Sequence, residues 1–286
     1  ASGLAKVVDW SIALVTDGPT KLRAAENSAK EKKLKIWCDY ITKSKAGGDD
    51  HEFEGTVTRI ISGDTLCVKV NRTGVEKKLQ LSSIRQPKPK DPKLPGYNFE
   101  AKEFLRKELI GKTVRVTIDY QKPAVEGYEA RECATIKLGD FNPAEKLLEN
   151  GLANIIRHKK DDDDRSSCYD ELLVAEKKAQ TYAKGVHSTK EPPLHRFNDA
   201  SEIQNYKMTF IIGGIRVPRL GKSSTEKPEP FAAEALEFAN RKLLQRDVEI
   251  EVENVDKTGG FIGTLWINKT ENYAASLLRE GFAKTH

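Results

Sequence analysis

No apolar run in this 286-residue chain approaches the roughly 18 residues of a membrane-spanning helix. Cysteine is scarce: Cys38, Cys67, Cys133 and Cys168 stand far apart with no CxxC pair, and the five histidines do not cluster at ligand spacing. Neither a zinc site nor a disulfide framework is indicated, so a reducing, intracellular compartment is the expectation. The Asn-x-Thr triplets at Asn71 and Asn268 are then chance matches to a glycosylation signal. The opening residues, ASGLAKVVDW, lack a basic segment followed by an apolar core, and a secretory leader is not expected. Aromatics make up only 7% of the chain, which disfavours a platform of stacked single-stranded bases. Trp10, Trp37 and Trp266 are scattered and are expected to pack within the protein.

What the chain has in abundance is charge, 32% of residues, with a net +5 and a pI near 8.8. That balance is compatible with a polyanionic partner if the basic residues share a face.

The chain is internally repetitive. GLAKVVDW at Gly3, GLANIIRH at Gly151 and GFAKTH at Gly281 are three versions of one phrase. KLRAAENSAKEKKLKIW (21–37) follows the first and ELLVAEKKAQTYAKGVH (171–187) the second, with Leu22, Ala25, Glu26 and Ala29 matching Leu172, Ala175, Glu176 and Ala179. Leu and Ala at i, i+3 and i+7 form the buried stripe of an amphipathic helix. FEAKEFLRKELIGKTVRVTIDY (99–120) parallels AAEALEFANRKLLQRDVEIEVE (232–253). Each reads as a helix running into a strand, with Val114, Val116, Ile118 and Val248, Ile250, Val252 at period two.

Three copies result: the last helices of one (1–45), a complete middle copy (46–192) and a partial third (193–286). For the middle copy the patterns predict strands over 53–61, 64–71, 76–84, 113–120 and 132–138. They predict helices over 98–110, 142–150 and 167–184, the last ended by Gly185. Short strands with an inserted and a terminal helix suit a small, mainly β barrel of the OB type, placing the chain in the α+β class as tandem barrels. The first copy retains only its last helices, so a piece of a longer protein is expected. Between Glu191 and Met208 there is no room for the third copy's first two strands, and that copy stops before its last helix. Residues are therefore expected to be missing near Gln204–Asn205 and within 86–95. An intact mass near 32.0 kDa would overturn that expectation.

Strand, Ser-Gly-Asp-Thr turn, strand, the loop LQLSSIRQPK (79–88), helix and the closing GLA phrase resemble the staphylococcal nuclease fold. Several tandem copies, with DDDDRSSCYDELLVAE (161–176) looking like its central repeats, are similar to the Tudor staphylococcal nuclease family. The resemblance covers essentially the whole chain. It implies the end of a second repeat, the third, and part of a fourth, without the Tudor domain.

In that family two aspartates flank the turn glycine, a third lies in a loop whose glutamate is the general base, and two arginines clamp the phosphate. Carried over, the resemblance sets Ser62 at the first aspartate, Asp64 at the second, Arg85 at the third and Lys88 at the base. Gln80 falls at the first arginine and Arg131 at the second. In the third copy Arg216 falls at the loop aspartate, Arg219 at the base, Ile211 at the first arginine and Gly260 at the second. One metal carboxylate of three remains in the middle copy, and a hard divalent cation wants several oxygen ligands. Metal-dependent hydrolysis there is not expected, and a phosphate cleft that kept its ligand and lost its chemistry is. Asp64 with Thr65 is also ordinary hairpin chemistry, and Arg131 could pair with Glu129 or Glu132.

The nucleic-acid-binding candidates are Arg85, Lys88, Lys90, Arg131, Arg157, Lys159, Lys160, Arg216 and Arg219. Asp64 and Arg131 are the residual catalytic ones. Asp161–Asp164 read as a solvated loop before a helix N-terminus rather than a metal site. Backbone recognition by basic side chains suits double-stranded or structured RNA. The resemblance implies an RNA-binding scaffold acting in RNA silencing, edited-RNA metabolism, splicing and transcription coactivation. It would work in cytoplasm and nucleus with protein partners there, away from membranes and without a small-molecule cofactor. Two alternatives stay open: an endoribonuclease on inosine-containing duplexes, using calcium or magnesium, and a protein-docking scaffold without RNA contact.

Overall fold

The computed structural model describes residues 2–8, 20–38, 51–87, 95–124, 129–158, 164–188, 209–221, 227–256 and 260–285. They fall into two compact units, 1–194 and 195–286. The stretch 204–205, and all of 86–95 except Gln86, Pro87 and Pro95, lie outside the described residues.

In the first unit, helix α1 (Thr20–Glu31) precedes strands β1 (Glu52–Ser62), β2 (Thr65–Val70), β3 (Glu76–Leu81) and β4 (Ile84–Arg85). Then come α2 (Pro95–Leu109), β5 (Thr113–Lys122), β6 (Arg131–Lys137), α3 (Pro143–Glu149), β7 (Asn154–Ile155) and α4 (Tyr169–Thr181). The five long strands close into a barrel in the order β1-β2-β3-β6-β5. β3 and β6 run parallel, and the remaining pairs antiparallel.

Alternation builds this barrel: Val114, Val116, Ile118 and Tyr120 point inward, with polar residues between them. Leu105 and Leu109 of α2, Leu147 and Leu148 of α3 and Leu172 of α4 complete one core with the barrel interior. Burying each such side chain contributes about 1.5–3 kcal/mol. Asn142 caps α3 by accepting from Ala144 N at 3.0 Å and Glu145 N at 3.4 Å, with Pro143 at the first helical position.

Two sequence-based expectations are corrected. The strand expected over 76–84 is broken, because Ser83 takes a left-handed conformation (φ 60°) and turns the chain into β4. Helix α4 ends at Thr181, not at 184. Ala183 (φ 48°) makes the left-handed turn, and Lys184 N donates back to Ala179 O at 2.9 Å, a Schellman-type close. Gly185 is needed for another reason: a Cβ there would stand 2.2 Å from Gly151 O.

The phrase shared by the first two copies has one structural meaning in both. Gly3 (φ 66°) and Gly151 (φ 67°) turn left-handed, and their carbonyls accept from Ile36 N (3.2 Å) and Val186 N (2.9 Å). The matched glutamates are both buried. Each accepts from the fourth residue after the glycine at 3.0 Å, Glu26 from Val7 N and Glu176 from Ile155 N. Helix α1 is also tied to the middle copy. Arg23 meets Asp170 of α4 with two bonds, 2.9 and 3.0 Å, and donates to Glu26 at 3.1 Å. Such forked, largely buried charge-assisted bonds contribute more than surface pairs. Arg23→Met is therefore expected to cost about 1.5–3 kcal/mol and to raise hydrogen exchange in α1 without affecting the barrel strands.

The second unit contains β8 (Phe210–Ile212), β9 (Ile215–Arg216), α5 (Ala232–Leu243), β10 (Val248–Val255) and β11 (Phe261–Ile267). It continues with β12 (Glu271–Asn272), α6 (Tyr273–Arg279) and β13 (Lys284–Thr285). β10 pairs antiparallel with β11, and β8 parallel with β11, repeating the β5–β6 and β3–β6 relations of the first unit. Asn272 caps α6 by accepting from Ala275 N at 3.2 Å, as Asn142 caps α3. Among the described residues there are no counterparts of β1, β2 or α4.

Candidate nucleic-acid interface

The turn Ser62-Gly63-Asp64-Thr65 joins β1 to β2 as a two-residue hairpin, with Ser62 and Thr65 paired. It lies against α2, where a Cβ on Gly63 would stand 2.7 Å from Ala101 Cβ. Asp64 is consequently buried, and both its oxygens are occupied. Oδ1 accepts from Ser62 Oγ (2.7 Å) and Thr65 Oγ1 (3.0 Å). Oδ2 accepts from Gln80 Nε2 (3.1 Å) and Gln86 N (3.4 Å). Gln86 returns its side-chain oxygen to Gly63 N at 3.2 Å, so loop and turn clasp each other.

These four donors to Asp64 are all neutral. Ser62, where the resemblance sets a metal-binding aspartate, is itself a donor to the remaining carboxylate. The cluster does not fit a calcium or magnesium ion, which needs several oxygens free to face it. Among the described residues no three His, Cys, Asp or Glu side chains stand together as a ligand set.

Cations border this closed cluster. Lys122 Nζ reaches Gln80 Oε1 at 3.4 Å, so Gln80 bridges the carboxylate on one side and an ammonium on the other. Lys122 pairs across the strands with Arg131, and Arg131 is exposed. Glu132 is bound to Lys77 (3.8 Å) and Gln121 (3.3 Å). Arg85 is exposed on β4, one residue before the Gln86 amide that donates to Asp64. Beneath the cluster, burial pushes the Tyr120 hydroxyl and Cys133 thiol above their usual ranges. Tyr120 Oη accepts from Ser83 N at 3.1 Å, fixing the strained turn before β4. No group there is poised as a base.

The other candidates separate. Lys88, Lys90, Lys159 and Lys160 lie outside the described residues. Arg157 is corrected as a cation available to phosphate: it bonds the buried Glu176, whose other oxygen holds Ile155 N. Arg216 is corrected in the same way, bonding Glu229 Oε1 at 3.1 Å. Glu229 Oε2 accepts from Arg219 N at 3.1 Å. That amide first, and the Arg216 guanidinium after it, hold the Glu229 carboxyl below its ordinary range. The pair therefore persists at neutral pH and releases Arg216 only as pH falls through that lowered value. Gly260 closes a turn on Asp256 Oδ1 at 2.7 Å. Sequence reasoning does not single out Lys122 or Gln86. Lys122 has a signal, since it ends the alternating β5 opposite the start of β6.

The comparisons with known proteins agree with this geometry. The profile of the family described as Staphylococcal nuclease homologue matches residues 78–189 and 209–286. The chain is 34% identical to Staphylococcal nuclease domain-containing protein 1 of Drosophila melanogaster, over 99% of this chain and 38% of that protein. It is 36% identical to the protein of the same name in Schizosaccharomyces pombe, over 99% and 37%. With Ribonuclease TUDOR 1 of Arabidopsis thaliana it shares 33% identity over 99% and 36%. The chain thus spans little more than a third of each relative's length. The Drosophila alignment runs over 350 positions, more than the chain's 286 residues, so that relative has segments without counterparts here.

Proposed function

The chain belongs to the staphylococcal nuclease homologue family, and from that premise we propose that it binds structured or double-stranded RNA without cleaving it. The observation that carries the proposal is the saturation of Asp64 by four neutral donors, one of them Ser62. What is left on the surface beside it, Arg85, Arg131 and Lys122, can meet phosphate oxygens but cannot activate water. Backbone recognition of this kind reads the shape of an A-form duplex rather than its bases. Roles in RNA silencing, edited-RNA metabolism, splicing and transcription coactivation, in cytoplasm and nucleus with protein partners there, belong to this proposal. No small-molecule cofactor enters it.

Filter binding of a short RNA duplex across a salt series tests it. Arg85→Glu with Arg131→Glu is expected to weaken binding and to reduce the salt slope by about 0.9 for each phosphate no longer neutralised. A slope unchanged by this double substitution, or wild-type binding that is flat against salt, would favour a protein-docking scaffold instead. The name Ribonuclease TUDOR 1 borne by a relative supports the second reading, a nuclease using Asp64, Arg131 and Glu129. Magnesium- or calcium-dependent cleavage of labelled inosine-containing duplex, abolished by Asp64→Ala, would establish that reading over the first.

A further inference from the structure

We propose that the outer edge of β10 is a docking edge for a β-strand in which apolar residues alternate with lysine or arginine. The precedent lies in the same chain. β5 has a strand on either side, β1 and β6, and its inward residues Val114, Val116 and Ile118 are 1%, 0% and 5% exposed. Their counterparts on β10, Val248, Ile250 and Val252, are 38%, 40% and 48% exposed. Among the described residues β10 pairs with β11 alone. Register places Val248 opposite Ile267 and Ile250 opposite Leu265, and both of those partners are buried in the second core. The exposed row therefore continues a core face outward to a free edge. Unpaired backbone beside period-two apolar residues is the arrangement that accepts an added strand.

Charge selects the occupant. Between the apolar residues β10 carries Glu249, Glu251 and Glu253. At the equivalent places β5 carries Arg115, Thr117 and Asp119, and β1 lays Glu54 and Glu52 opposite the first two, with Glu54 within 4.0 Å of Arg115. On the β11 side, among the described residues, the three β10 glutamates meet a single cation: Lys269 contacts Glu249 (3.2 Å). Trp266 Nε1 and Thr264 Oγ1 donate to Glu251 (3.4 Å) and Glu253 (2.8 Å). An acidic strand such as β1 is repelled here. A second copy of β10 is repelled too, because antiparallel pairing sets glutamate against glutamate. Basic residues on the outward face of the incoming strand convert that repulsion into cross-strand pairing.

The test uses the whole chain and two labelled peptides followed by fluorescence anisotropy. One peptide has the sequence of residues 52–62, and the other has the same sequence with Glu52→Lys and Glu54→Lys. Saturable binding is expected for the lysine peptide, with the unmodified peptide about tenfold weaker. Glu249→Lys with Glu251→Lys in the chain reverses that preference, and these exposed residues leave the core untouched. Ile250→Asp abolishes binding of both peptides, which excludes exchange into the middle barrel. Equal affinity for the two peptides, absence of saturable binding, or binding that survives Ile250→Asp overturns the proposal. So does sedimentation showing a dimer that Ile250→Asp dissolves, since the edge would then be occupied by a second copy.

Discussion

Gly151→Ala is expected to destabilise the first unit by roughly 2–5 kcal/mol, adding a left-handed penalty of about 1–2 kcal/mol to an overpacking cost of about 1–3. The added Cβ would stand 2.2 Å from Lys184 O and 3.0 Å from Gly185 Cα. Both neighbours are backbone, so neither moves without displacing the other. The Val186 N to Gly151 O bond would be lost with them, releasing the end of α4 from the barrel. Gly281 is the matching glycine of the second unit, left-handed at φ 75°, and a Cβ there meets nothing within 4 Å. Gly281→Ala is therefore expected to cost only the conformational part, about 1–2 kcal/mol. Urea unfolding of the two variants measures the difference. Equal losses would mean that the glycine is retained for its dihedral angles alone, and that the seat under α4 contributes nothing.

That contrast also shows what a sequence can reveal. The phrase around Gly3, Gly151 and Gly281 is visible as a repeat because each copy has the same local backbone need. The inward rows of β5 and β10 are visible because alternation is a local pattern. In the complete copy, expected and observed element ends agree within three residues, apart from the break at Ser83. The features not legible are those that close over distance. Arg157 and Glu176 are 19 residues apart and Arg216 and Glu229 are 13 apart. No periodicity links an arginine in a loop to a carboxylate on the next element. Both arginines therefore read as free cations in the sequence, and folding gives them partners. Gln86 is equally hidden, because its role depends on the loop folding back over the turn. The residues at Ser62 and Gln80 are legible as lost chemistry. That the same two side chains donate to the surviving carboxylate emerges only when turn, strand and loop are folded together.

Asp64→Ala is expected to destabilise the first unit by roughly 2–4 kcal/mol, and the sign is more informative than the size. In a metal site, carboxylates crowd together, and in the absence of the ion their mutual repulsion strains the fold. Removing one from such a site relieves the metal-free protein. Here the surroundings of Asp64 are reversed: the hydroxyls of Ser62 and Thr65, the amide of Gln80 and the backbone N–H of Gln86 all donate to it. Alanine leaves four donors facing a small void inside the protein, and an unsatisfied buried donor costs about 1–3 kcal/mol. Asp64→Asn keeps one acceptor oxygen, and rotation of the Gln80 amide can accommodate the new NH2 group. Its cost should accordingly be nearer to about 1 kcal/mol. Calcium or magnesium is expected to leave the melting temperature of the unsubstituted chain unchanged, because the residues around Asp64 offer no ligand set. RNA affinity per folded molecule should be the same with or without the carboxylate. A stabilising Asp64→Ala, or a melting temperature that rises with calcium in the parent chain and not in the variant, would restore this turn as a metal centre.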